Sequence, residues 1–314
     1  MESMVYGAAS VLALSIAFLF KSSDWAIENA VVIARYFRLS EMATGFLLFS
    51  VATSLPELVV SLIASAQNQV GISVGNVIGS NIADLGLVLG ASALFGVILI
   101  IKGDLVTLTK IVFLSSFLPL IMLFPISPFI GVVLLLVFVW FAYFSLNSRL
   151  SPQTSMERPR VDAALRCSSY FLISVVVLLV SSHFAVDSAV RLATLLGISK
   201  AFMGATIIAV GTSLPELAVN ISAMKRKKTG IAVGNVLGSC IVNLTLVLGL
   251  ASIINPLAAN MGAFFNLVVF LLIINAVLLY FVQRKKKLGF NEGIVLLGLY
   301  VIFLLSSILI ELKF

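Results

Sequence analysis

Three acidic side chains, Glu57, Asp84 and Glu216, fall inside long apolar stretches with no Lys or Arg on the same helical stripes. A carboxylate at the centre of a membrane helix costs at least ~2.5 kcal/mol on insertion scales. The balancing charge must come from outside the chain, as metal ions or protons. Oxygen-bearing residues surround these acids at regular spacing. Thr53 and Glu57 stand i,i+4 and Ser54 and Glu57 i,i+3, which puts two hydroxyls and a carboxylate on one helix face, and Thr212, Ser213 and Glu216 repeat the arrangement. Pro56 and Pro215 lack the amide hydrogen that a helix interior needs, and each ring crowds the carbonyl four residues earlier. Both helices are expected to break there, freeing the carbonyls of Ala52 and Gly211 and offering backbone oxygens over 50–53 and 209–212. Irregular backbone at membrane depth is tolerated only where it is buried in protein or lines a polar cavity.

The following apolar stretch of each copy carries a polar stripe at i,i+4,i+8: Asn76, Ser80 and Asp84, matched by Asn235, Ser239 and Asn243. These stripes are expected to face inward, with Asn76 and Asn235 open to either a helix-capping or bridging role or an ion-lining one. Carboxylates, hydroxyls, amides and freed carbonyls together suit a hard cation such as Ca2+ or Na+. Apart from Cys240 no Cys or His lies on the stripes, which argues against zinc or copper. Cys167 and Cys240 show no metal-ligand spacing and read as small membrane-helix residues, and His183 reads as packed or interfacial. Glycines recur every four residues, at Gly71, Gly75 and Gly79 and at Gly230, Gly234 and Gly238, as in close helix packing.

The elements that position these groups belong to a membrane. The 314 residues are 61% hydrophobic and 11% charged, against about a quarter charged in soluble domains. Apolar runs long enough to cross the hydrocarbon are expected at 4–20, 42–66, 72–101, 105–123, 127–146, 168–190, 201–224, 231–255, 260–282 and 291–311. The first is expected to continue as helix toward Phe37, through Lys21, Asp24 and Glu28 on one face; a cleaved signal peptide is disfavoured, because no basic start and no small-residue cleavage site is present. The net charge of +7 is read as topology rather than as nucleic-acid binding. With an external N-terminus and ten spans, sixteen of the twenty Lys and Arg fall in internal loops, including those of 225–228 and 284–287, and both termini lie outside.

The chain also repeats itself. Residues 45–90 and 204–249 align without a gap at an offset of 159, about half their positions being identical, TSLPE, GN and GS among them. Five spans separate the copies, and an odd number places them in opposite orientation. The loop Ala66, Gln67, Asn68, Gln69 matches Lys225, Arg226, Lys227, Lys228, so the aligned loops differ in the property that decides which side of the membrane they face. Such inverted repeats place the substrate near the midplane, where the copies meet. The expected architecture is an all-α membrane protein of ten transmembrane helices in two inverted repeats of five: 1–149, a cytoplasmic linker at 150–166, and 167–314, with broken helices at a central ion site.

At VATSLPE, GTSLPE, GNVIGS and GNVLGS the chain resembles the calcium/cation antiporter superfamily, in particular its prokaryotic sodium/calcium exchangers. The resemblance covers both repeats and the ten-span layout. It implies one Ca2+ site with adjacent Na+ sites: Glu57 and Glu216 as bidentate calcium ligands helped by the carbonyls of Thr53 and Thr212, with Ser54, Ser213, Ser80, Ser239, Asp84, Asn243 and the carbonyls of Ser50 and Ala209 completing the sodium sites. Two departures stand out. Here the Asp is in the first repeat and the Asn in the second, the reverse of the prokaryotic pattern, and Ala52 replaces the usual Gly. The long cytoplasmic regulatory insert of animal exchangers is missing. The implied function is a secondary antiporter, not an enzyme, exchanging Ca2+ for about three Na+ by alternating access in a prokaryotic cytoplasmic membrane, with the ions as cargo and no resident cofactor. No nucleic acid and no obligatory protein partner is expected, only ions and lipid. A cation/proton antiporter of the same fold is the nearest rival. A cation channel is a more distant one, and an intramembrane aspartyl protease using Asp84 is the least favoured, since a second facing aspartate is lacking.

Overall fold

The computed structural model describes residues 2–99, 112–113, 117, 127–147, 158–195, 209–256, 261–285 and 287–311. Apolar sequence without interior Pro or capping groups makes long helices, and the first is the longest among the described residues. Helix α1 runs unbroken over Glu2–Phe37, about 54 Å at 1.5 Å per residue, well beyond the ~30 Å hydrocarbon core. It packs lengthwise against α6, Val161–Leu195, of nearly the same length. Between them in sequence come α2, Glu41–Thr53, and α3, Leu55–Ala66, bent by 45° from each other. Next are α4, Val70–Leu94, the strand β1, Ile98–Leu99, and α5, Pro128–Asn147. After α6 follow α7, Ala209–Thr212, α8, Leu214–Lys225, and α9, Thr229–Ile254. The last elements are α10, Met261–Tyr280, which widens into a π-helical turn at Phe281–Lys285, the strand β2, Lys287–Leu288, and α11, Phe290–Glu311.

Among the described residues seven helices are long and apolar enough to cross a membrane, or eight when the bent pair α2–α3 counts as one span. The protein is an all-helical integral membrane protein, apart from the two-residue antiparallel pairing of β1 with β2. Helices α4 and α9, which carry the polar stripes, form the centre: 78% of the apolar window of each is buried, against 17% for α1 and α5. The polar stripes therefore lie in the best-shielded part of the molecule, as a polar site in a bilayer requires.

Several boundaries differ from the sequence reading. Residues 161–166, expected in the linker, form the first turns of α6, whose Asp162 favours a helix N-terminus. The span expected over 72–101 ends at Leu94, and Ile98 and Leu99 instead pair with Leu288 and Lys287. Most of the span at 105–123, the first part of the linker at 150–157, the start of the second repeat motif at 204–208, and Lys102, Lys110, Arg149 and Lys200 lie outside the described residues.

Candidate ion-binding site

The site begins at the two prolines. Because residue 56 and residue 215 donate no amide hydrogen, the helices stop at Thr53 and Thr212 and restart at Leu55 and Leu214. Ser54 (φ −81°, ψ 8°) and Ser213 (φ −90°, ψ 9°) form the two hinges, outside the helical region. Glu57 and Glu216 follow in the first turn of the restarted helix, where the positive end of the helix dipole favours a carboxylate. The second motif is also distorted in both copies. Its helix widens into a π-helical turn at Asp84–Val88 and again at Asn243–Val247, and a third such turn covers Gly45–Ser50. Turns of this kind recur at functional sites because the extra residue re-aims neighbouring side chains.

These elements bring the expected residues together. Thr53, Ser54, Glu57, Ser80, Asp84, Ser213, Glu216, Ser239, Asn243 and Ser50 are all buried to 5% exposure or less. The Ser80 hydroxyl donates to Glu57 Oε1 at 3.4 Å, and Thr53 lies beside both Glu216 and Asn235, whose Oδ1 accepts its hydroxyl at 3.4 Å. Glu57 and Asp84 are near enough for their charges to interact, and Glu216 feels both. Among the described residues, however, no three His, Cys, Asp or Glu side chains converge as a metal-binding group. Any cation held here would draw on hydroxyl, amide and carbonyl oxygens as well as carboxylates.

Six buried oxygens of the site have no hydrogen-bond partner among the described residues: Ser54 Oγ, Glu57 Oε2, Ser213 Oγ, Glu216 Oε2, Ser239 Oγ and Asn243 Oδ1. A buried polar atom left in that condition costs about 1–3 kcal/mol. The backbone oxygens divide differently. Ser50, whose hydroxyl donates to the Phe46 carbonyl, keeps its own carbonyl in a bond from the Ser54 amide. The Gly211 carbonyl, expected free, accepts from Ser182 of α6 at 3.4 Å. The backbone at Ala209 and Thr212 belongs to α7, in register with 50–53 of the first copy.

Among the described residues Asn76 and Asn235 bridge helices. Asn76 donates to the Glu57 carbonyl at 2.9 Å and to Ser61 Oγ at 2.8 Å, while Asn235 donates to Asn220 Oδ1 at 2.8 Å. Ser61, Asn220 and Asn81, all outside the expected set, join this network. Asn220, the counterpart of Ser61, donates to the Ala232 carbonyl at 3.1 Å, and Asn81 accepts from Asn243 at 3.0 Å while donating to the Cys240 carbonyl at 3.3 Å. Asn81 and Cys240 are themselves counterparts at the offset of 159, so α4 and α9 cross where the copies meet. A polar residue at matching positions of two apolar helices, Ser61 and Asn220, was the available signal for part of this network. Of the glycines, Gly230, Gly234 and Gly238 pack on Glu41, Met42, Phe46 and Ser50, as small-residue packing predicts. Gly79 departs from it, facing open space.

Comparison with known proteins agrees with this geometry. The family model described as sodium/calcium exchanger protein matches residues 7–147 and 168–309. An uncharacterized membrane protein of Methanocaldococcus jannaschii, MJ0091, is 33% identical over 93% of this chain and 95% of its own length. The sodium/calcium exchanger MaX1 of Methanosarcina acetivorans is 32% identical over 94% and 96%. The solved structure of the sodium-calcium exchanger NCX_Mj, soaked with 10 mM Na+ and no Ca2+, superposes with a TM-score of 0.84 at 32% identity, covering 96% of this chain and 99% of that one. With two broken helices, two polar stripes and matches spanning nearly its whole length, the chain belongs to the sodium/calcium exchanger family.

Proposed function

We propose that this protein is a secondary antiporter that exchanges Na+ for Ca2+ across a prokaryotic cytoplasmic membrane by alternating access. The observation that carries the reading is the set of six unpartnered oxygens contributed by both copies to one buried region. Cations relieve that cost; in an apolar membrane helix few other groups would. Glu57 and Glu216, with the carbonyls of Thr53 and Thr212, form the Ca2+ site, and Ser54, Ser213, Ser80, Ser239, Asp84, Asn243 and the carbonyls of Ser50 and Ala209 hold Na+. Relatives support the choice of ions: MaX1 is named a sodium/calcium exchanger, and NCX_Mj was solved after soaks with Na+, Ca2+ and Sr2+.

The architecture in this proposal has ten spans in two inverted repeats of five, with both termini outside. Its support is the charge contrast between the loops at 66–69 and 225–228 and the structural echo of every motif at the same offset. Ca2+ and Na+ share oxygens, so one displaces the other, and each loaded form exposes the site to the opposite face while the empty, negatively charged site does not cross. The test is uptake of radiolabelled Ca2+ into proteoliposomes under imposed Na+, K+ or H+ gradients. An outward Na+ gradient alone should drive it. Uptake that follows a proton gradient and ignores Na+ would replace this function with cation/proton antiport, and uptake without any counter-ion gradient would indicate a channel.

A further inference from the structure

The two halves of the site differ at three matched positions, and the differences concern one carboxylate. The counterpart of α11 in the first half is α5. A Cβ placed on Gly293 would lie 2.7 Å from the Gly90 carbonyl oxygen, and one on Gly131 would lie 2.7 Å from the Gly249 carbonyl oxygen, Gly90 and Gly249 being counterparts in the repeat. Seven residues beyond these glycines stand Tyr300 and Phe138. Tyr300 packs on the π-helical turn that begins at Asp84, and a Cβ on Gly86 would come within 2.8 Å of the Tyr300 Cβ. In the other half Asn243 replaces Asp84, Thr245 replaces Gly86 and a phenyl ring replaces the phenol.

The half with the charge is thus the half in which a glycine lets Tyr300 and Ile274 pack directly on the turn, and the half with a hydroxyl. The Tyr300 side chain is 3% exposed, lies within range of the Asp84 charge, and its hydroxyl has no hydrogen-bond partner among the described residues. On α10, which packs against the same turn, Asn275 Oδ1 is also buried without a partner. Thr245, by contrast, has its hydroxyl satisfied by the Ile241 carbonyl of its own helix. A tyrosine hydroxyl buried in an apolar helix corner normally finds a partner, and where direct contact is out of reach one water completes the bond at little loss.

We propose that Tyr300 is a positioning residue of the ion site: its hydroxyl donates through one water to the Asp84 carboxylate and holds it toward a bound Na+, a device that the Asn243 half lacks. The naming of Na+ rests on the exchanger reading above. The geometry makes the Asp84 half the sodium-tuned half, while Ca2+ binding rests on Glu57 and Glu216.

The experiment is thermal stabilisation of the purified full-length protein, titrated separately with Na+ and with Ca2+, for wild type, Y300F, D84N and D84N/Y300F. Y300F should raise the half-saturating Na+ concentration about fivefold and move that of Ca2+ by less than about twofold, as for one lost hydrogen bond of ordinary strength. In the D84N background the same substitution should shift the Na+ midpoint by less than about 1.5-fold, because the partner is already gone. An unchanged Na+ midpoint in Y300F, equal shifts in both backgrounds, parallel shifts for Na+ and Ca2+, or a wild type that Na+ does not stabilise would each overturn the proposal. A lower ligand-free melting temperature with unmoved midpoints would mean packing alone and would overturn it as well. Ca2+ flux in proteoliposomes tests the exchanger reading separately; its failure would leave the Na+ titration able to decide on Tyr300.

Discussion

The two copies of the repeat share a sequence but not their surroundings. In the first, Leu55, Val59, Val60 and Ile63 of α3 are 38–53% exposed; in the second, Ala218, Val219 and Ser222, which match the last three, are at most 2% exposed. Helix α1 lies along α8 and shelters it. The basic loop of the second copy fixes that cover in place: Arg226 pairs with Asp24 at 3.3 Å and Glu28 at 2.8 Å, Lys228 pairs with Glu41 at 2.9 Å, and Lys225 sits over the rings of Phe20 and Phe95. The first copy has a neutral clasp instead, in which Asn255 donates to Asn68 Oδ1 and, at 3.4 Å, to the Ser65 carbonyl, and Ser65 donates to the Ala251 carbonyl. On α6 the residue that matches Glu28, Asp187, pairs with Arg191 of its own helix. On the proposed mechanism two equivalent halves must occupy unequal environments at any one time, and one copy is tightly covered here while the other is not.

The comparison is most severely tested by removing charge from each copy in turn. E57Q and E216Q should each lower Na+-driven Ca2+ uptake by about 100-fold or more, since each removes a carboxylate from a shared site. Retention of uptake by either variant would confine the site to one copy. A smaller effect should separate Gly238 from Gly79, matched positions with different neighbours. A Cβ on Gly238 would lie 2.7 Å from both Phe46 Cδ2 and Ser50 Oγ, whereas one on Gly79 meets nothing within 4 Å. G238A is expected to destabilise by about 1–3 kcal/mol through overpacking, and G79A to be neutral or to stabilise by up to about 1 kcal/mol as a helix-interior Gly to Ala change. Melting temperatures of the two purified variants check this, and equal shifts would mean that the two helices are equally packed. The smallest effect concerns the cover itself. These ion pairs are half exposed, so R226Q/K228Q should cost no more than about 1 kcal/mol of stability. It should still speed hydrogen exchange in the exposed turns of α1 near Asp24, and the difference from wild type should shrink in high salt. No change at low salt would show that apolar packing alone holds α1 on α8.

Much of the site was legible because its chemistry is local in sequence. Pro56 and Pro215 dictate the breaks, the i,i+4 spacings dictate the shared faces, and the ungapped repeat carries one copy onto the other, down to the left-handed residues Asn68 (φ 59°) and Lys227 (φ 58°) in the two loops. What stayed hidden depends on contacts between distant segments. Apolarity marks residues that prefer lipid, not where a helix ends, so the start of α6 at Val161 and the end of α4 at Leu94 were missed by several residues. Tyr300 carries no signal by itself, for a tyrosine in an outer membrane helix is commonplace. Its place becomes visible only when Gly293 on Gly90 and Gly131 on Gly249 show that α5 and α11 match three residues out of step with the motif repeat. The Gly211 carbonyl was expected free because the proline predicts a missing donor, and nothing in the sequence points to Ser182 as its substitute.

One small element constrains how such a molecule can work. Ile98 and Leu99, just past the end of α4, are stitched to Leu288 and Lys287, and the joint is braced by Glu292, which accepts from Lys285 at 2.6 Å and from the Gly289 amide at 3.0 Å. This rivet joins the tail of one central helix to the elbow between the last two, so the rim there is expected to act as a chassis while parts not bolted to it take up the strokes of the proposed cycle. Spin labels placed on either side of the rivet should keep their spacing through the whole cycle, while a label on α1 should not.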